Sequence, residues 1–142
     1  MKKIHILIAM MLLSTLFMAM TCEDSDVICT DVTFMNNSQD TLYVAHWSGG
    51  LAPDISPRLV LLETKREFVS IVLPYEKKCF KIGIPDDVYK GEITTSFLIF
   101  KNSTMKNYSD EELAEKNIYD KKMFFTYKEL ENKKFLVEYD GN

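Results

Sequence analysis

The stretch from Ile93 to Phe100, reading ITTSFLIF, constrains the fold more than any other part of the chain. It is the most apolar segment after residue 22, and its eight residues fall short of the roughly ten to twelve that a buried helix needs. A run of this length reads as a central strand, so the chain must supply neighbours for it. Several segments have the period-two alternation of half-buried strands. Thr30 to Met35 sets Val32 and Phe34 against Asp31, Thr33 and Met35, and Thr41 to Trp47 sets Leu42, Val44 and His46 against Tyr43, Ala45 and Trp47. Between them Asn36 to Asp40 is turn chemistry, because Asn and Asp tolerate left-handed geometry and bond their own backbone, so the two strands are predicted to form a hairpin. Gly49, Gly50, Pro53 and Pro57 mark a loop. A second strand pair is predicted over Arg58 to Leu62 and Glu67 to Leu73, broken at Thr64 to Arg66. Cys79 to Ile84 alternates again, ended by Pro85, Asp86 and Asp87.

The last third mixes in helix signals. Ser109 followed by Glu112, and Thr126 followed by Glu129, are capping boxes. They predict short helices over Asp110 to Lys116 and from Tyr127 to about Asn132, with strands at Lys122 to Tyr127 and Lys133 to Tyr139. Short strands separated by turn signals imply a mainly β fold, an antiparallel β-sandwich of immunoglobulin-like or similar type. One or two short helices in the C-terminal third would cap an end or edge.

The N-terminus carries an address. Lys2 and Lys3 precede an uncharged run from Ile4 to Met20, the layout of a secretory signal at residues 1–21. The run sits at the short edge of the roughly 17–25 residues that span a membrane, and no basic cluster follows it. Ala19-Met20-Thr21-Cys22 is similar to a bacterial lipobox, with Thr21 and Ala19 as departures from the usual residues. Cys22 is therefore the expected lipidation (palmitate) site; ordinary cleavage nearby is the alternative. Residues 22–29 form an acidic tether through Glu23, Asp24 and Asp26, similar to the export signal of surface lipoproteins, and residues 30–142 form one domain.

Removing residues 1–21 from the 142 leaves 121, a single-domain length. Removing Lys2 and Lys3 from a formal charge of −4 leaves −6, a balance that argues against a nucleic-acid partner. With Cys22 acylated, Cys29 and Cys79 remain, either paired in an oxidising compartment or held as two buried thiols. A bridge would close a loop of about 50 residues, worth roughly 3–4 kcal/mol less any strain. No metal or cofactor is expected: CxxC pairs are absent, and His46 is the single histidine after residue 21.

Chemistry for catalysis is thin. His46 alternates with Leu42 and Val44 and reads as a packed or edge histidine. Asp86-Asp87 and Glu111-Glu112 are explained by a turn and a helix start, and the chain has no GxSxG, HExxH or phosphate-binding glycine loop. The expectation is a non-enzymatic protein. Tyr43 and Trp47, beside the Gly49-Gly50 loop, are the candidate ligand-binding aromatics, since aromatic faces stack on sugars and anchor protein interfaces; the alternative is that they fill the core. Asn-x-Ser/Thr triplets at Asn36, Asn102 and Asn107 matter only in a eukaryotic secretory pathway, and Asp40-Thr41-Leu42 is similar to an O-glycosylation pattern of Bacteroides-type bacteria.

Asn117-Ile118-Tyr119-Asp120-Lys121-Lys122 and Thr126-Tyr127-Lys128-Glu129-Leu130 carry a wider resemblance. Together with Val32-Thr33-Phe34 to Ser38, Leu42-Tyr43-Val44, Trp47 and Phe135 to Tyr139, they make the chain resemble a group of small, uncharacterised Bacteroides-type lipoproteins. The ending Glu138-Tyr139-Asp140-Gly141 departs from the aromatic-Tyr-Pro ending of some members. The resemblance implies an extracytoplasmic β-sandwich and transfers no catalytic residue; with the acidic tether, the expected setting is a lipid-anchored outer-membrane protein facing the cell surface or, otherwise, the periplasm. The expected use is binding of a glycan or protein partner, and a glycan binder is expected to expose Trp47; a structural or accessory subunit of an outer-membrane assembly, the alternative, is expected to expose an apolar edge or patch. A small hydrolase is the remaining reading.

Overall fold

The computed structural model describes residues 32–49, 55–82 and 94–142. The signal segment, Cys22, the tether and Cys29 lie outside these residues, as do Gly50 and the turn at Pro85 to Asp87. The described residues form β1 (Val32–Asn36), β2 (Leu42–Gly49), a π-helix (Arg58–Glu63), β3 (Val69–Val72), β4 (Lys77–Phe80) and β5 (Thr94–Lys101). There follow α1 (Asn102–Asn107), α2 (Asp110–Glu115), β6 (Lys121–Thr126), α3 (Tyr127–Asn132) and β7 (Leu136–Tyr139).

The strands make two sheets, ordered β4-β1-β7 and β3-β2-β5-β6. Alternate residues of both face each other: Val32, Phe34, Phe80, Val137 and Tyr139 from the first meet Leu42, Val44, Val72, Phe97 and Ile99 from the second. The fold is thus mainly β and sandwich-like, with β5 central between β2 and β6 as its apolar run requires. Its strand order differs from the ABED and CFG sheets of an immunoglobulin domain. One pair, β1 with β7, is parallel.

The four-stranded sheet is buried on its other face too. Ala45, Leu98 and Phe100 pack under Val60 and Leu61 of the π-helix and Leu113 of α2, with Ile55 alongside. This helical layer explains why β5 reads as nearly unbroken apolar sequence, since each of its faces meets a different core. The short α3 instead closes one end of the sandwich through Leu130.

Several expectations need correction. The predicted β1–β2 hairpin does not form; the two strands belong to different sheets. Asn36 is responsible. Its side chain is fully buried and its Oδ1 accepts from the Ser38 amide (3.0 Å) and the Ser38 hydroxyl (2.7 Å). Its Nδ2 donates to Asp40 O (2.8 Å) and, across the corner, to Leu73 O (3.0 Å). The turn chemistry is present, but it carries the chain from one sheet to the other.

The strand predicted at Arg58 to Leu62 is the π-helix, whose wide turn puts the adjacent Val60 and Leu61 into the core together. The overlooked signal is Ser56-Pro57. The Ser56 hydroxyl accepts from the Leu59 amide at 3.3 Å, as helix-capping hydroxyls do, and proline suits a first turn. Both capping boxes form as predicted, at Ser109/Glu112 and Thr126/Glu129. Helix α1 was not anticipated, and β7 begins at Leu136 rather than Lys133 because Lys134 and Phe135 take left-handed φ of 53° and 57° to end α3.

Candidate functional site

Tyr43 and Trp47 lie on the outer face of β2, the face that carries the helical layer. Both are half-buried against that layer, and Trp47 meets Phe68 edge-to-face at 5.4 Å between ring centroids. Four residues apart on one strand, they stand about 13 Å from each other, so they do not form one stacking platform. Tyr43 is opposite Ile71 and Phe100 and lies near Arg66. Arg66 donates through Nε to Asp110 Oδ2 (2.9 Å) and through Nη2 to Asp110 Oδ1, a two-pronged contact that joins the turn before β3 to the start of α2. That hydrogen bonding, ahead of the opposing desolvation, raises the guanidinium above its ordinary range.

The other candidates fall in separate places. His46 stacks between Phe80 and Phe97, with ring centroids at 5.2 and 5.0 Å, inside the sandwich. Cys79 sits half-buried on β4 opposite Thr33; Cys22 and Cys29 are outside the described residues. Glu112 serves its capping box and accepts from Lys116 at 3.1 Å; its bond from the Ser109 amide, then Lys116, holds its carboxyl below the usual range. Asn36 is buried, and Glu111 is exposed on the first turn of α2. Among the described residues no group of three or more His, Cys, Asp or Glu is arranged to hold a metal ion, and no helix is long and apolar enough to cross a membrane.

The structure displays a different surface, on the outer side of β3 and the turn that follows. Phe68, Ile71, Leu73 and Tyr75 are 45, 50, 55 and 62% exposed, and they fall within eight residues of one another. The other exposed large hydrophobics of the described residues, Tyr108, Tyr119 and Phe124, are scattered over α1's end, the loop before β6, and β6. The turn from Leu73 to Glu76 is built to project. Pro74 fixes its first corner, Tyr75 takes a left-handed φ of 62° with an ordinary side chain, and the Glu76 amide donates to Leu73 O at 3.1 Å. Asn36 braces the same carbonyl from below. A non-glycine residue at positive φ costs about 1 kcal/mol or more, and here it places an aromatic ring at the most exposed point.

The strand pattern of Glu67 to Leu73 does not by itself reveal this surface. The visible signal was that both parities are apolar, Phe68 and Val72 on one and Val69, Ile71 and Leu73 on the other, immediately before Pro74-Tyr75. A strand at a sheet edge cannot cover both. Comparisons with protein-family models, with curated proteins and with solved structures find no match to this chain.

Proposed function

We propose that this is a non-enzymatic, lipid-anchored extracytoplasmic interaction module that docks to a protein partner through the apolar outer edge of β3 and the Leu73–Glu76 turn. The observation that carries the reading is the group Phe68, Ile71, Leu73 and Tyr75, four large apolar side chains about half-exposed or more within eight consecutive residues. Exposed patches of this kind mark interaction sites, and an aromatic held at a strained turn is a further mark of one. The half-burial of Tyr43 and Trp47 beneath the helical layer favours this surface over a glycan platform on β2.

The placement suits a tethered protein. Strand β1 starts at Val32 opposite Phe80 and runs toward Asn36, whose amide donates to Glu76 O beside the turn. A chain anchored at Cys22 thus enters at the end of the sheet away from the apolar turn. The ten residues from Cys22 to Val32 reach at most about 35 Å, which keeps the domain at the membrane while its turn faces outward. The cell-surface or periplasmic face of an outer membrane, as in the lipoproteins the sequence resembles, is the setting in which such an arrangement works.

Two measurements test the reading. Intact mass of the membrane-extracted protein should match a chain starting at Cys22 plus acyl groups. A photo-crosslinking side chain at position 73 should give a discrete protein adduct in intact cells that one at position 103, on α1, does not, and Tyr75→Ser should remove it. Equal adducts from both positions, or glycan binding abolished by Trp47→Ala and untouched by Leu73→Ser, would overturn it.

A further inference from the structure

The edge of β3 is not open backbone. Val72, Ile71 and Ser70 lie opposite Leu42, Tyr43 and Val44 of β2, and the Ile71 carbonyl is met from outside the sheet. The direction is fixed by Lys78, whose Nζ donates to Ile71 O at 3.1 Å from β4 in the other sheet. In an antiparallel ladder the amide and carbonyl of one residue point the same way, so Val69, Ile71 and Leu73 all aim outward. These groups are largely taken. Val69 N donates to Arg66 O at 3.0 Å, Leu73 N to the Glu76 carboxylate at 2.6 Å, and Leu73 O accepts from Glu76 N and Asn36 Nδ2. Ile71 N and Val69 O are left without a protein partner among the described residues.

We propose that β3 is a self-pairing edge held shut by Lys78 and Glu76, and that its occupant, when the two side chains leave, is a second copy of this chain. This rests on reading the β3 surface as the docking site and names its regulation. The strand is self-complementary about Ile71. In a two-fold antiparallel pairing Ile71 faces Ile71 of the second copy, and each donates its free amide to the other's carbonyl. Val69 then faces Leu73 of the second copy, and Leu73 faces Val69. All six side chains fall on one face, joining the exposed Ile71 and Leu73 of each copy beside the half-buried Val69. The pairing consumes the carbonyl that Lys78 occupies and the flank that Glu76 occupies, so it competes with both. Charged side chains over an apolar edge are a known defence against edge-to-edge association.

The test is the oligomeric state of the full chain in nonionic detergent, followed by native mass spectrometry through a dilution series. The wild type is expected as single copies, and Glu76→Ala/Lys78→Ala as dimers, self-associating about tenfold more tightly or better, the scale for releasing one charge-assisted hydrogen bond. Adding Ile71→Pro, which removes the outward amide and leaves the β2 ladder intact, should return single copies; circular dichroism melting checks that each variant is folded. A folded double variant that stays single, or a dimer that survives Ile71→Pro, overturns the guard. Crosslinking from position 73 remains readable in either case, so loss of the guard and loss of the docking surface are separate results.

Discussion

Replacing Asn36 is expected to damage this fold more than most core truncations, and in a way that separates hydrogen bonding from packing. Asn36→Leu keeps the branching and the number of side-chain heavy atoms, so no cavity opens, although its methyl groups are bulkier than the amide. What is lost is four hydrogen bonds of 2.7–3.0 Å, to Asp40 O, Leu73 O, the Ser38 amide and the Ser38 hydroxyl. The hydroxyl can turn elsewhere, and Leu73 O keeps its bond from Glu76 N. The Ser38 amide is buried and stranded outright, and Asp40 O loses its bond at a partly buried site. At about 1–3 kcal/mol for each stranded buried group, the total comes to roughly 3–4 kcal/mol, a large share of the 5–15 kcal/mol typical of a domain. In urea, with a slope of about 1–3 kcal/mol/M, the midpoint should fall by roughly 1.5–2 M. Asn36→Asp sharpens the test. It swaps two donors for acceptors that face two carbonyls, which raises the new carboxyl above its unfolded range. A raised carboxyl contributes stability that is present below the unfolded value near pH 4 and lost as pH rises, so the variant should be closer to wild type at pH 3.5 than at pH 7. A midpoint for Asn36→Leu within about 0.5 M of wild type, or an Asn36→Asp deficit that does not change with pH, would refute the assignment of the corner to this side chain.

Other outcomes follow from single side chains. Thr95 Oγ1 is buried with no hydrogen-bond partner, so Thr95→Val should stabilise the domain by about 1 kcal/mol in the same urea titration; destabilisation would mean the hydroxyl is satisfied after all. Thr126→Ala removes the cap of α3 and should cost about 1 kcal/mol. Glu129, held low first by its bond from the Thr126 amide, gives a contribution present above the unfolded carboxylate range and lost as pH falls through its own lower value; Glu129→Gln should remove that acid-side slope. Burial pushes the Tyr139 phenol up, so one tyrosine should ionise late in an ultraviolet alkaline titration and be missing from it in Tyr139→Phe. Tyr75→Gly relieves the left-handed strain and should leave thermal stability equal or higher while abolishing the position-73 adduct.

What the sequence made legible was chiefly local. The capping boxes at Ser109 and Thr126 are satisfied by residues three apart, so they can be read without the rest of the fold, and the central place of β5 follows from its run of apolar residues. Partner choice is another matter. Whether β1 pairs with β2 or crosses to the other sheet depends on Asn36 finding Leu73, 37 positions away, and a turn signal is silent about that. The Arg58 to Leu62 run is apolar enough for a strand or a helix, and the capping serine and proline ahead of it decide. The candidate surface was hidden for the same reason. The apolar residues of β3 look like any core strand until the sheet order leaves that strand at an edge, while Trp47, a candidate aromatic beside the Gly49-Gly50 loop, is half covered by a helical layer the strand pattern does not announce.

The parallel pairing of β1 with β7 ties the first described strand to the last, and Asn37 N donates to Tyr139 O at 2.7 Å to extend the seam. Among the described residues β4 and β7 flank β1 in its sheet, and β7 is the last strand in chain order. The three-stranded layer is therefore incomplete until β7 has been made, and the apolar faces of β2 and β5 stay partly uncovered until then. A polypeptide ending before Leu136 would keep the four-stranded sheet and a two-stranded β4-β1 ribbon, with Val137 and Tyr139 missing from the core between them.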